Sequence, residues 1–533
     1  MLIGSKSNIF FSYRNIKNLK SVFDIGTYVT LSYFLFIFAI LLSEPQSLLI
    51  LMKQLNNSDS EVKRIKRPTK VLQFGEGNFL RAFVDWIIDT ANEKGVIDTS
   101  VAVVSPRFKY NPTIQNLEKQ DCLYNVCLEG VENGTPKKET RTVTSLDKAF
   151  SPMEKPELYT SIIESPDLRF VISNTTEQGI RYDEDDATKL CAATFPGKVT
   201  ALLHHRYKHF NGDKNKGLIF LCCELSENNA ARLLEYVTRH AENAGMEKEF
   251  IDWVNDSCIF CDTLVDRIVS GYSEEAVKEI EKEKGYVDNA LVKGELYHLW
   301  VIGGEGAEKV KEELPLHKAG LNVYFLPSVK EFRDKKVRIL NGAHTGMVAL
   351  SILAGNDTVF EAFSDPEINK FVNLLIEKEV IPVINEDPEE LKKFAAEILE
   401  RFTNPYINHQ LRSIALNSLS KWETRNYPTL KDNWTKLNKL ADLSVFTFAA
   451  LLALYAPDSP FTPEDKPEHV KLIKENWNDE DLKSTVAAIL DSDIFSENFG
   501  EEIPGFLDKA TEYLTLIRKN GIRNALTTVL EGR

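Results

Sequence analysis

The chain lacks any basic excess. Its 64 Lys and Arg face 79 Asp and Glu, a net charge of −15, which argues against nucleic acid as a partner because phosphate binding needs a basic surface. A local basic pocket for a small acid remains allowed. Cysteine is also sparse, with seven in 533 residues and none after Cys261. Such a chain has no disulfide framework to read, and a reducing compartment is expected. Cys258-Ile259-Phe260-Cys261 has metal-ligand spacing but neither a second pair nor a His-x-x-x-His partner, so no metal is expected and a buried thiol pair is. Internal repeats and low-complexity tracts are absent too. What is left is ordinary globular composition, 43% hydrophobic and 27% charged, in a chain long enough for two or three domains.

One apolar run stands apart. No charge occurs from Ile25 to Ser43, about the 17–25 residues that a membrane helix needs. A signal peptide fits less well, because the charged region before the run is long and no clean cleavage site follows. We favour translation from Met52, with residues 1–51 an apolar extension outside the native protein. A cytoplasmic, untethered protein follows from that start. The competing reading keeps the run and makes the chain a membrane-tethered, non-catalytic nucleotide-binding protein.

Lys70-Val71-Leu72-Gln73-Phe74 reads as a buried strand broken at Gly75-Glu76-Gly77, and Phe79, Phe83, Trp86 and Ile87 then recur at helical spacing from Asn78 to Asn92,. Strand, glycine turn, helix is the context in which backbone N–H groups hold a pyrophosphate. Phe74, Gly75, Glu76, Gly77, Asn78 and Phe79 are therefore candidate dinucleotide-binding residues, although Leu80 stands where the third glycine of the fingerprint belongs. Val101–Val104 is a second strand. It ends in Ser105-Pro106-Arg107 and not in the acidic residue that would bind the adenosine ribose of NAD,. An arginine there can accommodate a 2′-phosphate, so NAD against NADP stays open on these residues. Phe170–Ser173 and Leu218–Cys223 are further strands with polar ends, the first running into Thr176 and Glu177, where a sheet of this kind binds its ligand. Helical stretches at Pro196–Phe210 and Asn229–Ala241 alternate with them, which predicts a parallel, doubly wound sheet. Tyr297–Ile302 and Asn322–Phe325 read as late strands closing a Rossmann-like α/β domain at 52–330. Beyond it only helical periodicity is found, at Thr345–Ala354, Ile368–Glu379, Pro388–Arg401, Asn408–Lys421, Ser444–Tyr455 and Phe506–Arg518, so 331–533 is expected to be a mostly α-helical second domain,.

At the junction lies Lys336-Val337-Arg338-Ile339-Leu340-Asn341-Gly342-Ala343-His344. In an unbroken α-helix Asn341 would fall about 140° and His344 about 80° around the axis from Lys336, which puts an amine, an amide and an imidazole on one side. Interconversion of an alcohol and a ketone needs a group that moves a proton and one that holds the oxygen. The same spacing also suits an amphipathic helix start with a solvated lysine and a core histidine. Gly342 costs about 1 kcal/mol against Ala in a helix interior, which makes sense if another backbone or a ligand comes close.

Taken together these stretches resemble the polyol-specific long-chain dehydrogenases of the mannitol dehydrogenase family. The likeness runs from about Met52 to the C-terminus. It rests on Gln73-Phe74-Gly75-Glu76-Gly77-Asn78-Phe79-Leu80-Arg81-Ala82-Phe83, Ser173-Asn174-Thr175-Thr176-Glu177, Phe195–Thr200, Leu264-Val265-Asp266-Arg267-Ile268, Leu340-Asn341-Gly342-Ala343-His344-Thr345, and Arg401-Phe402 through Asn404-Pro405 to His409. The resemblance implies an NAD-dependent, reversible and metal-independent reduction of a keto group, with a hexuronate giving an aldonate in the subgroup that is nearest; fructuronate and mannitol are the alternative substrates. It maps the general acid/base to Lys336, the active-site amide to Asn341 and an active-site imidazole to His344. It departs at Leu225, where mannitol dehydrogenases carry an asparagine that helps to hold the substrate oxygen. A sugar-acid substrate calls for a cation, and Arg412, Lys421 and Arg425 are the candidates, the last two sharing a helix face. Asp266 is a candidate for a substrate hydroxyl, or else the ion-pair partner of Arg267.

Overall fold

The computed structural model describes residues 53–58, 64–107, 109–132, 134–175, 179–184, 186, 192–224, 226–407, 409–496 and 499–531. The apolar run, the proposed start at Met52, and the positions Thr176, Glu177 and Leu225 lie outside the described residues. Among the described residues no helix is long and apolar enough to cross a membrane.

An eight-stranded sheet organises the first half. Its strands are β1 (Thr69–Phe74), β2 (Ser100–Val104), β5 (Leu146–Phe150), β6 (Phe170–Ser173), β7 (Ile219–Cys222), β8 (Ile259–Asp266), β11 (Leu299–Gly303) and β12 (Val323–Leu326), in the order β12-β11-β8-β7-β6-β1-β2-β5. Alternate residues of each strand face opposite cores. Val71, Val101 and Val103 point into one, and Leu72, Phe74, Ala102 and Val104 into the other. Both faces are covered, which is why these strands read as continuous apolar runs. Cys258 and Cys261 are buried with free thiols but belong to opposite cores, so the expected thiol pair is two separate core residues.

The expectation of a fully parallel sheet needs correction. β11 pairs antiparallel with β8, Leu299 opposite Asp266, and β12 runs with β11. The chain leaves β8 at Asp266 and rejoins the sheet at Leu299, opposite that same end of β8, so β11 runs back along it. The excursion adds two strands to a second sheet, in which β3 (Tyr124–Glu132), β4 (Thr135–Val143), β9 (Val269–Gly271) and β10 (Val292–Glu295) lie in the order β4-β3-β10-β9. It was not anticipated, because β4 reads Thr-Pro-Lys-Lys-Glu-Thr-Arg-Thr-Val and is mostly exposed. A charged strand at a sheet edge blocks further pairing and shows no apolar alternation.

Four crossings converge at one end of the large sheet. Phe74 stands opposite Val104 and Ser173, and Cys222 opposite Ser173 and Asp262. The turns after β1, β2, β6 and β7 therefore share one edge, and β1 sits where connections leave in opposite directions, the position at which doubly wound sheets bind ligands. Helix α1 follows β1 as Asn78–Leu80, a π-helical turn at Arg81–Asp85, and Trp86–Glu93. Helix α2 (Pro112–Lys119) follows β2, and α3 (Phe195–His209) and α4 (Asn229–Asn243) flank β7.

The second half is helical. Helix α5 comprises Lys330–Lys336, a π-helical turn at Val337–Asn341, and Gly342–Leu353; after it come α6 (Pro388–Phe402), α7 (Ser418–Arg425), α8 (Asp442–Leu454) and α9 (Phe506–Glu531). The expected single helix Asn408–Lys421 is instead split into Leu411–Ile414 and α7, because Asn417 adopts a left-handed φ of 53°, which ends a helix. Helix α8 is buried from Leu443 to Leu454 and forms the centre of this core. Its N-terminus, submerged with it, is capped by the buried Glu379 carboxylate, which accepts from the Leu443 and Ser444 N–H groups at 2.7 and 2.8 Å and from Ser444 Oγ at 2.7 Å. Removing a buried acceptor orphans each donor at about 1–3 kcal/mol. Glu379→Ala should therefore lower unfolding stability by roughly 3 kcal/mol, measured by urea denaturation; a loss below about 1 kcal/mol would show that the cap is dispensable.

Candidate active site

The glycine turn is shaped for a ligand that comes close to its backbone. Gly75 has φ +140°, and a Cβ there would meet Leu80 Cδ1 at 2.7 Å. Leu80 thus fills the space beneath the turn, which accounts for its replacing the third glycine. Nothing lies within 4 Å of the position a Cβ would take on Gly77, and no side chain caps the helix that starts there. The first N–H groups of α1 therefore face open space with the dipole behind them, which suits a pyrophosphate. Four buried residues hold the turn from behind. Arg81 Nε donates to Glu76 O at 3.0 Å and Nη2 to Asn78 Oδ1 at 2.7 Å, with its guanidinium over the Tyr124 ring. Gln73 Nε2 donates to Gly75 O at 2.9 Å and to Asp85 at 3.3 Å, and Tyr124 OH donates to Asp85 at 3.2 Å. Burial pushes the Asp85 carboxyl up to about 7, against the pull of Gln73 and Tyr124. In the sequence Arg81 and Asp85 show only as charges among the apolar positions Leu80, Ala82, Phe83, Val84 and Trp86. At the neighbouring edge, Glu224 accepts from the Thr175 N–H and Oγ1 at 3.0 Å each and from Ser173 Oγ at 3.2 Å, so this buried carboxyl fixes the end of β6.

Across from this edge, α5 presents Lys336, Asn341 and His344. The π-helical turn between Lys336 and Gly342 inserts one extra residue and sets everything after it back by about 100°. His344, about 80° away in an unbroken helix, is brought to within about 20° of the Lys336 side. The half-buried amine of Lys336 and amide of Asn341 make no hydrogen bond or ion pair with the described residues. The neighbours of Lys336 are turned away, Lys335 to Glu386 at 2.7 Å and Arg338 to Asp334 and Asp432 at 2.9 and 2.6 Å. His344 is buried, stacked on Phe402 at 4.2 Å and edge-on to His409 at 5.2 Å, with Nε2 lacking any partner in the described residues. Burial, reinforced by His409, Arg401, Arg425 and Lys336, holds its imidazole far below the usual range and therefore neutral. His409 lines the same cavity as His344. Gly342 serves the close approach that its cost suggested. The place of its absent Cβ is 3.4 Å from Arg425 O, and Asn426 Nδ2 donates to Gly342 O at 3.0 Å.

Asp266 pairs with Arg401 and not with Arg267. Arg401 donates to Asp266 at 2.9 and 3.3 Å and to Glu295 at 2.7 and 3.0 Å, over the ring of Tyr297. Burial alone would raise the Asp266 carboxyl, but Arg401, joined by Lys336, outweighs it and holds the group below the usual range. Arg267 is spent structurally, donating to the carbonyls of Ala82, Leu296 and Tyr297 with its guanidinium over Trp86.

The three candidate cations separate. Arg412 lies over Phe461 beside Ile352 and Gly355, at the far end of the twelve-residue segment Gly342–Leu353, about 18 Å along the helix. Lys421 donates to Ile414 O at 3.0 Å. Only Arg425 is brought to the site, donating to Thr345 Oγ1 at 3.2 Å and acting on His344, and it has no carboxylate partner among the described residues.

A glycine turn built for a dinucleotide beside an amine, an amide and a neutral imidazole defines a nucleotide-dependent alcohol or ketone oxidoreductase. Comparison with known proteins agrees. Residues 69–318 match the mannitol dehydrogenase Rossmann domain and residues 328–498 the mannitol dehydrogenase C-terminal domain, and the chain belongs to the mannitol dehydrogenase family. It is 41% identical over 463 residues to the altronate oxidoreductase of Bacillus subtilis (strain 168), covering 86% of this chain and 95% of that one. It is 38% identical over 489 residues to the altronate oxidoreductase of Phocaeicola vulgatus, covering 90% and 100%. Among solved structures, a substrate-free D-sorbitol dehydrogenase superposes with a TM-score of 0.73 at 20% identity, covering 89% of this chain and 100% of that one. Pseudomonas fluorescens mannitol 2-dehydrogenase, in its ternary complex with NAD and D-mannitol, does so with a TM-score of 0.63 at 20% identity, covering 90% and 100%. These two share the fold.

Because the folded state keeps His344 neutral while the unfolded chain protonates it near pH 6.5, stability contributed above that pH is lost as the pH falls. The stability advantage of wild type over His344→Gln should shrink by about 1–2 kcal/mol between pH 7.5 and pH 5.0. Parallel urea curves at the two pH values check this, and a constant difference would refute it. Arg401→Met leaves two buried carboxylates unpaired and should cost about 3–5 kcal/mol, read as a lower thermal midpoint.

Proposed function

We propose that this chain is an NAD-dependent oxidoreductase that reduces the keto group of a hexuronate, D-tagaturonate, to the aldonate, D-altronate, reversibly and in the cytoplasm. The observation that carries this reading is the pair of groups on α5 without a partner among the described residues, the Lys336 amine and the Asn341 amide, with Lys336 acting on Asp266 at the end of β8. The names of the relatives at 38–41% identity support the substrate class.

Bound NADH supplies the hydride. The protein supplies the rest. Lys336 Nζ gives its proton to the keto oxygen during reduction and recovers one in the oxidative direction. Asn341 Nδ2 donates to the same oxygen as negative charge gathers on it, and one such donor is worth about 3–4 kcal/mol of barrier. Neutral His344, its Nε2 without a partner among the described residues, orients a substrate hydroxyl. Asp266 is held ionised by Arg401 and Lys336. Arg425 is the cation for the substrate carboxylate, through the fork geometry that suits a carboxylate. Phe74 to Phe79 carry the dinucleotide, with Thr176 and Glu177 proposed to border it.

Tagaturonate should be turned over well ahead of fructuronate and fructose in an NADH-oxidation assay; a preference for fructose would assign the chain to a mannitol-oxidising role. Lys336→Ala should abolish turnover and leave NADH binding intact, and a variant that kept a tenth of the rate would rule the lysine out. Asn341→Ala should lower kcat about 10²–10³-fold. Arg425→Ala should raise KM for the uronate about tenfold or more while leaving a neutral ketose unaffected.

A further inference from the structure

β2 ends without the acidic residue that would receive the adenosine ribose, yet a carboxylate stands at that point from elsewhere. The Gly75 N–H donates to Val104 O at 3.0 Å, which ties the glycine turn to the end of β2. From this turn the Glu76 side chain reaches the segment after β2. Its Oε1 accepts from Asn111 Nδ2 at 2.8 Å, and the same amide lies 3.4 Å from Ser105 Oγ. Asn111 has no freedom to turn. Its Oδ1 accepts from the N–H groups of Thr113 and Ile114 at 3.0 and 3.1 Å as the cap of α2, so its NH₂ is aimed at Glu76. The second carboxylate oxygen, Glu76 Oε2, is buried and has no hydrogen-bond partner among the described residues.

A buried acceptor on a charged group is costly when unmade, and a ligand that completes it is favoured by the same amount. We infer that Glu76, projecting from the glycine turn, receives the adenosine ribose hydroxyls through Oε2 and thereby selects NAD over its 2′-phosphorylated form. A 2′-phosphate would meet the fixed carboxylate at close range, and like charges in a partly buried place repel strongly. Arg107, exposed just beyond β2 and unpaired among the described residues, is the cation a phosphate would use once that carboxylate is gone. The inference rests on the cofactor proposed above and adds the residue that chooses its form.

The test is direct binding, read from nicotinamide fluorescence as NADH or NADPH is added to the full chain without substrate. Wild type should bind NADH and discriminate against NADPH. Glu76→Gln, which keeps size but not charge, should weaken NADH and tighten NADPH, shifting their ratio by about 10–100-fold, the worth of a charged hydrogen bond. Adding Arg107→Ala to that variant should remove the NADPH gain. Asn111→Asp keeps the helix cap but sets a negative charge against Glu76; it should weaken NADH and still reject NADPH. A thermal midpoint for each variant confirms folding, and if Glu76→Gln does not fold, Asn111→Asp decides alone. An NADH/NADPH ratio within about threefold of wild type in Glu76→Gln, or unchanged NADH binding in Asn111→Asp, overturns the inference. A wild-type chain that binds neither dinucleotide overturns instead the cofactor reading beneath it.

Discussion

The site is assembled around one buried cation. Arg401, near the end of α6 in the helical half, is gripped by Asp266 at the end of β8 and by Glu295 at the end of β10. Two carboxylates and one guanidinium carry a net negative charge, and burying such a group is tolerable only when every oxygen finds a donor. Arg401 offers four contacts, and the Ile268 N–H also donates to Glu295. This constraint sets the register between the two halves of the chain. It also fixes where Asp266 stands relative to Lys336, so the field at the proposed proton donor is a by-product of the clamp. With its charge matched twice, Arg401 is not available to a substrate carboxylate.

The second constraint is local. A helix with an extra residue wound into it is less stable than a regular one, and such turns persist where the displacement serves a purpose. In α5 the π-helical turn falls between the amine and the imidazole and brings them onto one side. In α1 the same distortion falls at Arg81–Asp85, where it lets Arg81 reach back to Glu76 O and Asn78 while Asp85 meets Gln73 and Tyr124. Both functional edges therefore depend on helices that depart from the 3.6-residue repeat just where the chemistry sits.

Both edges leave polar capacity unmet. Around the glycine turn, the buried polar groups hold one another in a fixed shape, yet Gln73 Oε1, Glu76 Oε2 and Asp85 Oδ1 have no hydrogen-bond partner among the described residues. Around α5, among the described residues, the Lys336 amine, the Asn341 amide and His344 Nε2 are left unmatched, and the guanidinium of Arg425 faces no acid. Unmet hydrogen-bonding capacity is costly, and at both edges a bound polar ligand would relieve it.

Much of this could be read along the chain. The strand, glycine turn and helix at residues 70–92, the continuous apolar strands, and the change to helical periodicity after about residue 330 follow from spacing over ten or fifteen residues, and local propensity and burial set those spacings. The order of the motifs carried the family. The tertiary structure alone decided the partners. Arg401 lies 135 residues from Asp266 and 106 from Glu295, and Glu76 lies 35 from Asn111. No periodicity records such pairings, since a side chain's partner depends on which elements the fold brings together. The winding of α5, the antiparallel return of β11, the second sheet with its charged edge, and the separate surroundings of Arg412, Lys421 and Arg425 were decided in the same way, by packing between segments far apart in sequence.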